Sequence, residues 1–365
     1  MMITTTDTTI RATLLFLAGM ALIGLLYTTR DLLAPFALAI FVWLIIDAFA
    51  QWMDGLSPKF PYWLALSIAV LTVVALMFGF TFVIVDTVGD VIRESPKYEK
   101  RLGEIFAYIA DKTGQESMTW ESMDENFKLT DKITGGLGAF AATVQGVVSE
   151  FFLIALYVVF LFAAQSTFPK KMDDLFPNEK RRGQAAKVGA RIRISIEKYL
   201  SVQTIISLMQ TVISYIGMTA LGLDNALFWA LVIFVLNYIP IVGGLAAVAF
   251  PVIFALVQFD SLGRVAILAG VLFGAQFVIG NTIQPKMMGD SMNLSALVVI
   301  LALSVWSALW GGVGAFLSAP LTVIIMIILA QFPTTRWIAV LLSADGNPDM
   351  DGDGIPDVPA PTPSL

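Results

Sequence analysis

The chain has no cysteine and no histidine in its 365 residues. That excludes disulfides, Cys/His zinc sites, haem held by histidine, and Ser-His or Cys-His nucleophilic catalysis. It also removes the side chain that ordinarily switches charge near neutral pH. Charge of either sign is scarce: 14% of residues are Asp, Glu, Lys or Arg, against about 25% in soluble domains. Hydrophobic residues make up 57%, and mean hydropathy is +0.80. Several apolar runs exceed the ~18 residues that a bilayer crossing needs. The composition rejects a soluble two-domain reading and implies an all-α polytopic membrane protein whose first partner is the lipid bilayer. A net charge of −6 gives no reason to expect nucleic acid, and no cofactor is expected.

About eight spans are expected, near 13–27, 32–53, 62–85, 147–165, 200–221, 226–259, 265–281 and 295–332. The first is read as a retained helix rather than a cleaved signal. Runs 226–259 and 295–332 exceed what a straight helix needs for a ~30 Å hydrocarbon core. Both are interrupted by Pro and Gly, so each is a broken helix or a helical hairpin. Residues 1–342 make the membrane domain. Residues 343–365, rich in Pro, Gly and Asp, make a flexible acidic tail.

Two loops set the orientation. Residues 166–200 hold nine Lys/Arg against four acids, and 86–150 hold seven against twelve. Basic loops stay in the cytoplasm. The basic loop 166–199 is therefore inside, the segment 86–146 outside, and both termini cytoplasmic. Each loop carries an amphipathic helix. Tyr98, Leu102, Ile105, Phe106 and Ile109 share a face in the outer segment. Val188, Ile192, Ile196 and Leu200 do so in the basic loop, opposite Lys187, Arg191 and Lys198. That second helix either lies at the anionic inner interface or is solvated and packs on its own protein.

The two over-long runs hold matched interruptions. "NYIPIVGG" begins at Asn237 and includes Pro240, Gly243 and Gly244, with Pro251 beyond. "WGGVGAFLSAP" begins at Trp310 and includes Gly311, Gly312, Gly314 and Pro320. Irregular backbone at membrane depth survives only where protein buries it or a watery cavity adjoins it. Paired interrupted segments point to a transport site. The plainer reading is close helix packing and a kink. Asn237 adds an amide at that depth, which needs a partner or a ligand. Gln203 and Gln210, seven apart, share a helix face. Gln276, Asn281 and Gln284 approach a membrane edge where Pro285 is expected to stop the helix. Asp47 is an acid within a span, and such residues are functional by default; ion coupling is one role, simple reach to the inner interface the other.

At these residues the sequence resembles the autoinducer-2 exporter family of bacterial inner-membrane proteins. The resemblance runs over roughly residues 10–340 and rests on four segments: "YLSVQ" (Tyr199–Gln203), "NYIPIVGG", "QFVIGNTIQPKMMG" (Gln276–Gly289) and "WGGVGAFLSAPL" (Trp310–Leu321). It implies an eight-span transporter-like fold in the inner membrane, a homo-oligomer, and export of a small polar signal molecule. Some relatives look like sodium/proton antiporters. The chain departs from the family pattern at Ile279, where a Glu is common, and at Ser295-Ala296, where His-Pro is common. The first departure removes an acid that could bind a cation.

The tail contains Asp349, Asp351, Asp353, Gly354 and Asp357, the opening of a D-x-D-x-D-G calcium loop, but Ala360 stands where the bidentate Glu belongs. A weak calcium site and a plain acidic tail are both open; no other metal site is expected. Three functions follow. One is a transporter moving a small polar solute along a path of Asn237, Pro240, Gly243, Gly244, Gln203, Gln276, Asn281, Gly311, Gly312, Gly314 and Pro320. Another is a cation/proton antiporter using Asp47. The third is a non-transporting membrane scaffold. An enzyme is the poorest option, because no catalytic set is evident.

Overall fold

A computed structural model describes residues 3–56, 62–113, 150–288 and 293–348. The calcium-type loop at Asp349, Asp351, Asp353 and Asp357, and the outer segment beyond residue 113, lie outside the described residues. In hydrocarbon every backbone N–H and C=O needs an internal partner, which helices supply. The chain obeys. Its helices are α1 (Ile3–Thr28), α2 (Arg30–Leu56), α3 (Tyr62–Thr113), α4 (Glu150–Gln165), α5 (Phe168–Leu175), α6 (Glu179–Leu221), α7 (Ala226–Leu236) and α8 (Val242–Gln258). After these come α9 (Leu262–Val278), a π-turn at Ile279–Ile283, α10 (Gln284–Met288), α11 (Ala296–Ala330) and α12 (Arg336–Leu342). Among the described residues the one β pairing is an isolated bridge between Leu294 and Ser343.

Among the described residues five helices are long and apolar enough to cross a membrane, or six if α4 and α5, bent by 64°, make one span. Both amphipathic loop helices turn out to be extensions of spans. α3 continues without interruption to Thr113, and α6 begins at Glu179. At 1.5 Å per residue α6 is ~64 Å long, so its basic half projects beyond a ~30 Å core rather than lying flat on it. Asn178 caps it, its Oδ1 accepting from Lys180 N at 3.0 Å.

The chain divides into two compact units. The first comprises Met1–Trp43, Leu153–Gly189 and Asn293–Leu365. In it α2 packs on α4 through edge-to-face rings, Phe36 with Tyr157 at 5.4 Å and Trp43 with Phe162 at 6.2 Å. α11 is not one rod. Gly311 sits at φ 61°, ψ −136°, outside helical space. Trp306 Nε1 then donates to Thr322 Oγ1 at 3.3 Å. Along a straight helix those residues would stand ~24 Å apart, so α11 folds back on itself. Leu294, before the first arm, packs with Met326 and Ala330 near the end of the second. We call this hairpin B.

The second unit comprises Leu44–Phe152 and Ala190–Met292. Here α7 and α8 form hairpin A. Its open ends are clasped: Gln258 Nε2 donates to Gly222 O at 2.9 Å, and Asp224 N donates to Gln258 Oε1 at 2.8 Å. Ala230, Ile233, Ala247 and Ala255 pack its arms with Leu268 and Leu272 of α9. Small side chains allow this approach, since lipid offers no hydrophobic drive for helices to associate. α3 runs beside the hairpin. Ile84 packs with Phe228, Tyr98 meets Phe254 edge-on at 5.6 Å, and Arg101 donates to Asp260 O at 2.8 Å. Burial and the neighbouring Glu94 carboxylate push the Tyr98 phenol above its ordinary range.

Candidate functional site

Hairpin A breaks at Asn237–Ile241, ahead of the Gly pair. Of the four residues expected at the break, Asn237 and Pro240 lie in it, while Gly243 and Gly244 are in the regular start of α8, with Pro251 buried further along that helix. The reason is local. Pro240 cannot donate, and Ile241 takes φ 62°, ψ −63°, so that Val242 N reaches Pro240 O at 2.6 Å. That is a γ-turn of the rare, strained hand. A β-branched residue there costs about 1–3 kcal/mol and persists only where its surroundings hold it. Gly243 explains how the turn closes. A Cβ at that position would overlap the Leu236 carbonyl, 2.8 Å from its carbon. Gly244 lies under the Gln276 side chain, whose amide carbon would be 3.2 Å from an added Cβ.

Polar groups gather at this tip. Gln203 is 3% exposed and donates through Nε2 to Asn237 O at 2.7 Å. Its Oε1 accepts a long bond from Gln284 Nε2 at 3.5 Å. Thr204 Oγ1 and Tyr238 Oη share a bond of 2.7 Å. Asn237 Nδ2 and Gln276 Oε1 are buried with no hydrogen-bond partner. Thus Gln203, Asn237, Pro240, Gly243, Gly244 and Gln276 come together, joined by Gln284, Thr204 and Tyr238.

Asn281 does not join them: it is exposed and donates back to Phe277 O at 3.0 Å. Pro285 does not stop the helix either, which continues to Met288. The preceding turn widens to π geometry at Ile279–Ile283, which accommodates the lost donor and the ring. Such π-turns recur at functional sites.

Hairpin B is closed by the same device. A Cβ at Gly314 would overlap the Trp306 carbonyl, 2.6 Å from its carbon. Gly311 supplies the turn, Gly312 faces open space, and Pro320 is buried within a regular arm. Trp310 Nε1 donates to Leu26 O at 3.1 Å, tying this tip to the end of α1.

Asp47 is wholly buried. Its carboxylate is ion-paired with Arg193 and accepts from Gln51 Nε2 at 2.8 Å. Arg193 also holds Glu197, with Nε donating at 2.6 Å. The basic half of α6 therefore packs on α2. Sequence reading missed Arg193 because it lies 146 residues from its partner. Ser207 and Ser214, buried in line with Gln203 and Gln210, were legible from helical spacing.

The chain is similar in sequence to known transport proteins. The family model for AI-2E family transporters matches residues 12–334. A Haemophilus influenzae protein named only as a transport protein is 30% identical, over 91% of this chain and 94% of its own. The Escherichia coli AI-2 transport protein TqsA is 30% identical, over 86% of this chain and 90% of its own. A sodium-lithium/proton antiporter of Halobacillus andaensis is 26% identical, over 60% of each chain.

Proposed function

The chain belongs to the AI-2E transporter family, and from that premise we propose that it exports a small polar solute across the bacterial inner membrane, with the tip of hairpin A handling the solute. One observation carries the reading: a strained break whose amide, Asn237 Nδ2, is buried and unpaired. An unsatisfied buried donor costs about 1–3 kcal/mol, which a solute acceptor offsets. Gln203 already grips Asn237 through its carbonyl. A solute on the side chain and Gln203 on the backbone thus act on one residue, and binding biases the tip between two arrangements. The bias of Lys and Arg puts the basic half of α6 and both termini in the cytoplasm. The tip then lies toward the cytoplasmic end of α6 and the clasped ends toward the outside. The name of the E. coli relative makes autoinducer-2 the first solute to try. Assembly as a homo-oligomer is part of the proposal.

The second reading is a cation/proton antiporter. Its support is the buried acid Asp47 and the name of the Halobacillus relative. Against it, Asp47 is already engaged by Arg193 and Gln51, and the ion pair fastens α6 to α2. Uptake and efflux in proteoliposomes separate the readings. We expect solute flux that falls at least tenfold in Asn237→Ala while the protein stays folded. Undiminished flux in that variant would sink the tip assignment. Sodium or proton gradients that drive cation flux, lost in Asp47→Asn, would move the assignment to the antiporter. No flux of any kind, with full rescue of a deletion strain by tip variants, would leave a scaffold.

A further inference from the structure

The chain turns sharply after α4, and Pro169 explains the break. It has no N–H for the Gln165 carbonyl, and its ring crowds that oxygen. Thr167 closes the turn, its N and Oγ1 donating to Ala164 O at 3.1 and 2.9 Å. α5 then sets off at 64° to α4. Membrane spans tilt about 20° from the bilayer normal on average, which leaves α5 within about 45° of the membrane plane.

α5 has two unlike faces. Phe168, Met172 and Leu175 fall at i, i+4 and i+7 and form one apolar stripe. The helix buries no residue: Phe168 is 61% exposed and Leu175 69%. The other face is charged. There Asp173 is ion-paired with Arg182 of α6 at 3.4 Å, which holds the polar side of α5 to the basic loop and leaves the stripe turned away from it. Lys170 and Lys171 are exposed, as are Lys180 and Arg181 in the first turn of α6.

Neither hydrocarbon nor water suits such a helix. Lys170, Lys171, Asp173 and Asp174 are costly in hydrocarbon. Three large apolar side chains on one open face mark contact with something other than water. The boundary between the two satisfies both faces. α4 brings the chain to that height, since at 1.5 Å per residue it rises ~24 Å of a ~30 Å core. The loop 166–200, with nine Lys/Arg against four acids, suits an anionic surface. We propose that α5 is an interfacial anchor seated on anionic phospholipid. Phe168, Met172 and Leu175 enter the acyl boundary, and Lys170, Lys171, Lys180 and Arg181 meet the phosphates. Lipid is the occupant rather than a second copy, because the stripe follows a span at membrane height and cations border it. The inference goes beyond the solute reading, because lipid contact at α5 is measurable without transport.

The chain lacks cysteine, so Leu175→Cys carries a single fluorescent label on the stripe and Asp174→Cys one on the charged face. The full-length protein is placed in vesicles of phosphatidylcholine alone or mixed with phosphatidylglycerol. Both leaflets share one composition, so the result does not depend on which way the protein inserts. The readouts are quenching by acrylamide in the water and by a nitroxide near the headgroup of the lipid. In mixed vesicles we expect the Leu175 label to be quenched by the lipid nitroxide, and by acrylamide about threefold less than the Asp174 label. That contrast should shrink by about half in phosphatidylcholine alone, in high salt, and in Lys170→Gln/Lys171→Gln/Lys180→Gln/Arg181→Gln. If Leu175→Cys fails to fold, Phe168→Cys carries the label on the same stripe. Equal acrylamide quenching at the two positions overturns the anchor. Shielding at Leu175 without lipid quenching gives the stripe to a second copy or another protein, and overturns it too. Lipid quenching that is the same with and without phosphatidylglycerol overturns the anionic seat.

Discussion

Hairpin A closes on Gly243, and its closure can be weighed against glycines that close nothing. An alanine methyl at 243 meets the carbonyl of Leu236, 2.8 Å from its carbon, and Ile239 Cβ at 3.1 Å. The first is backbone at the far side of the tip, so it cannot swing away; the turn must open. Overpacking ordinarily costs about 1–3 kcal/mol, and a backbone obstacle puts this site at the upper end, about 3 kcal/mol. Gly314→Ala meets the Trp306 carbonyl in the same manner and should cost the same. Gly312→Ala meets nothing within 4 Å and sits in a helix. It should be neutral or stabilise by up to about 1 kcal/mol through helix propensity. Gly244→Ala is the informative intermediate. Its obstacle is the end of the Gln276 side chain, which can rotate, so the stability cost should stay below about 1 kcal/mol while solute flux falls. Reversible unfolding in mixed micelles gives the energies, and proteoliposome flux gives the function. If Gly243→Ala is as stable as wild type, or Gly312→Ala is as costly as Gly243→Ala, the closure described for both hairpins is wrong.

Two further predictions follow from the same contacts. The chain lacks cysteine, so a Trp306→Cys/Thr322→Cys pair reports alone; a short bifunctional thiol cross-linker should join the two residues across hairpin B, which a straight α11, holding them ~24 Å apart, forbids. Failure to cross-link in the folded protein would restore α11 to a single rod. Tyr98 supplies a pH signature. Its folded-state pKa is raised from 10.0 by burial and Glu94, so its contribution is complete below about pH 10 and is lost as pH climbs through the raised value. Wild type should lose stability above that pH more steeply than Tyr98→Phe; equal slopes would show that the phenol is not buried in solution.

Much of the fold was legible because hydropathy and helix period are local properties. The helical membrane class followed from composition; Pro240, Gly243, Gly244 and Gly311 were marked because Pro and Gly are costly in an apolar helix, and Asn237 because an amide at that depth needs a partner. Gln203 and Gln210 were paired by spacing alone. What the residues did not disclose was direction. A 35-residue apolar run reads the same whether it crosses once or folds back at Gly311, since the fold depends on one dihedral and on Trp306 finding Thr322. The break in hairpin A fell before its Gly pair because Ile241, not a glycine, absorbs the turn. Pro285 was read as a stop, yet a widened π-turn carries the helix past it.

Sequence by itself determined which segments are helical, which are apolar enough to enter a bilayer, and where the backbone must be irregular. Each of those depends on residues within a few turns of one another. Tertiary structure decided that both over-long runs return on themselves, that Gln203 holds Asn237 from 34 residues away, and that Asp47 is answered by Arg193 from 146. A buried polar or charged group must be matched by whatever the fold brings to it. That partner is a fact of packing, which local sequence does not encode.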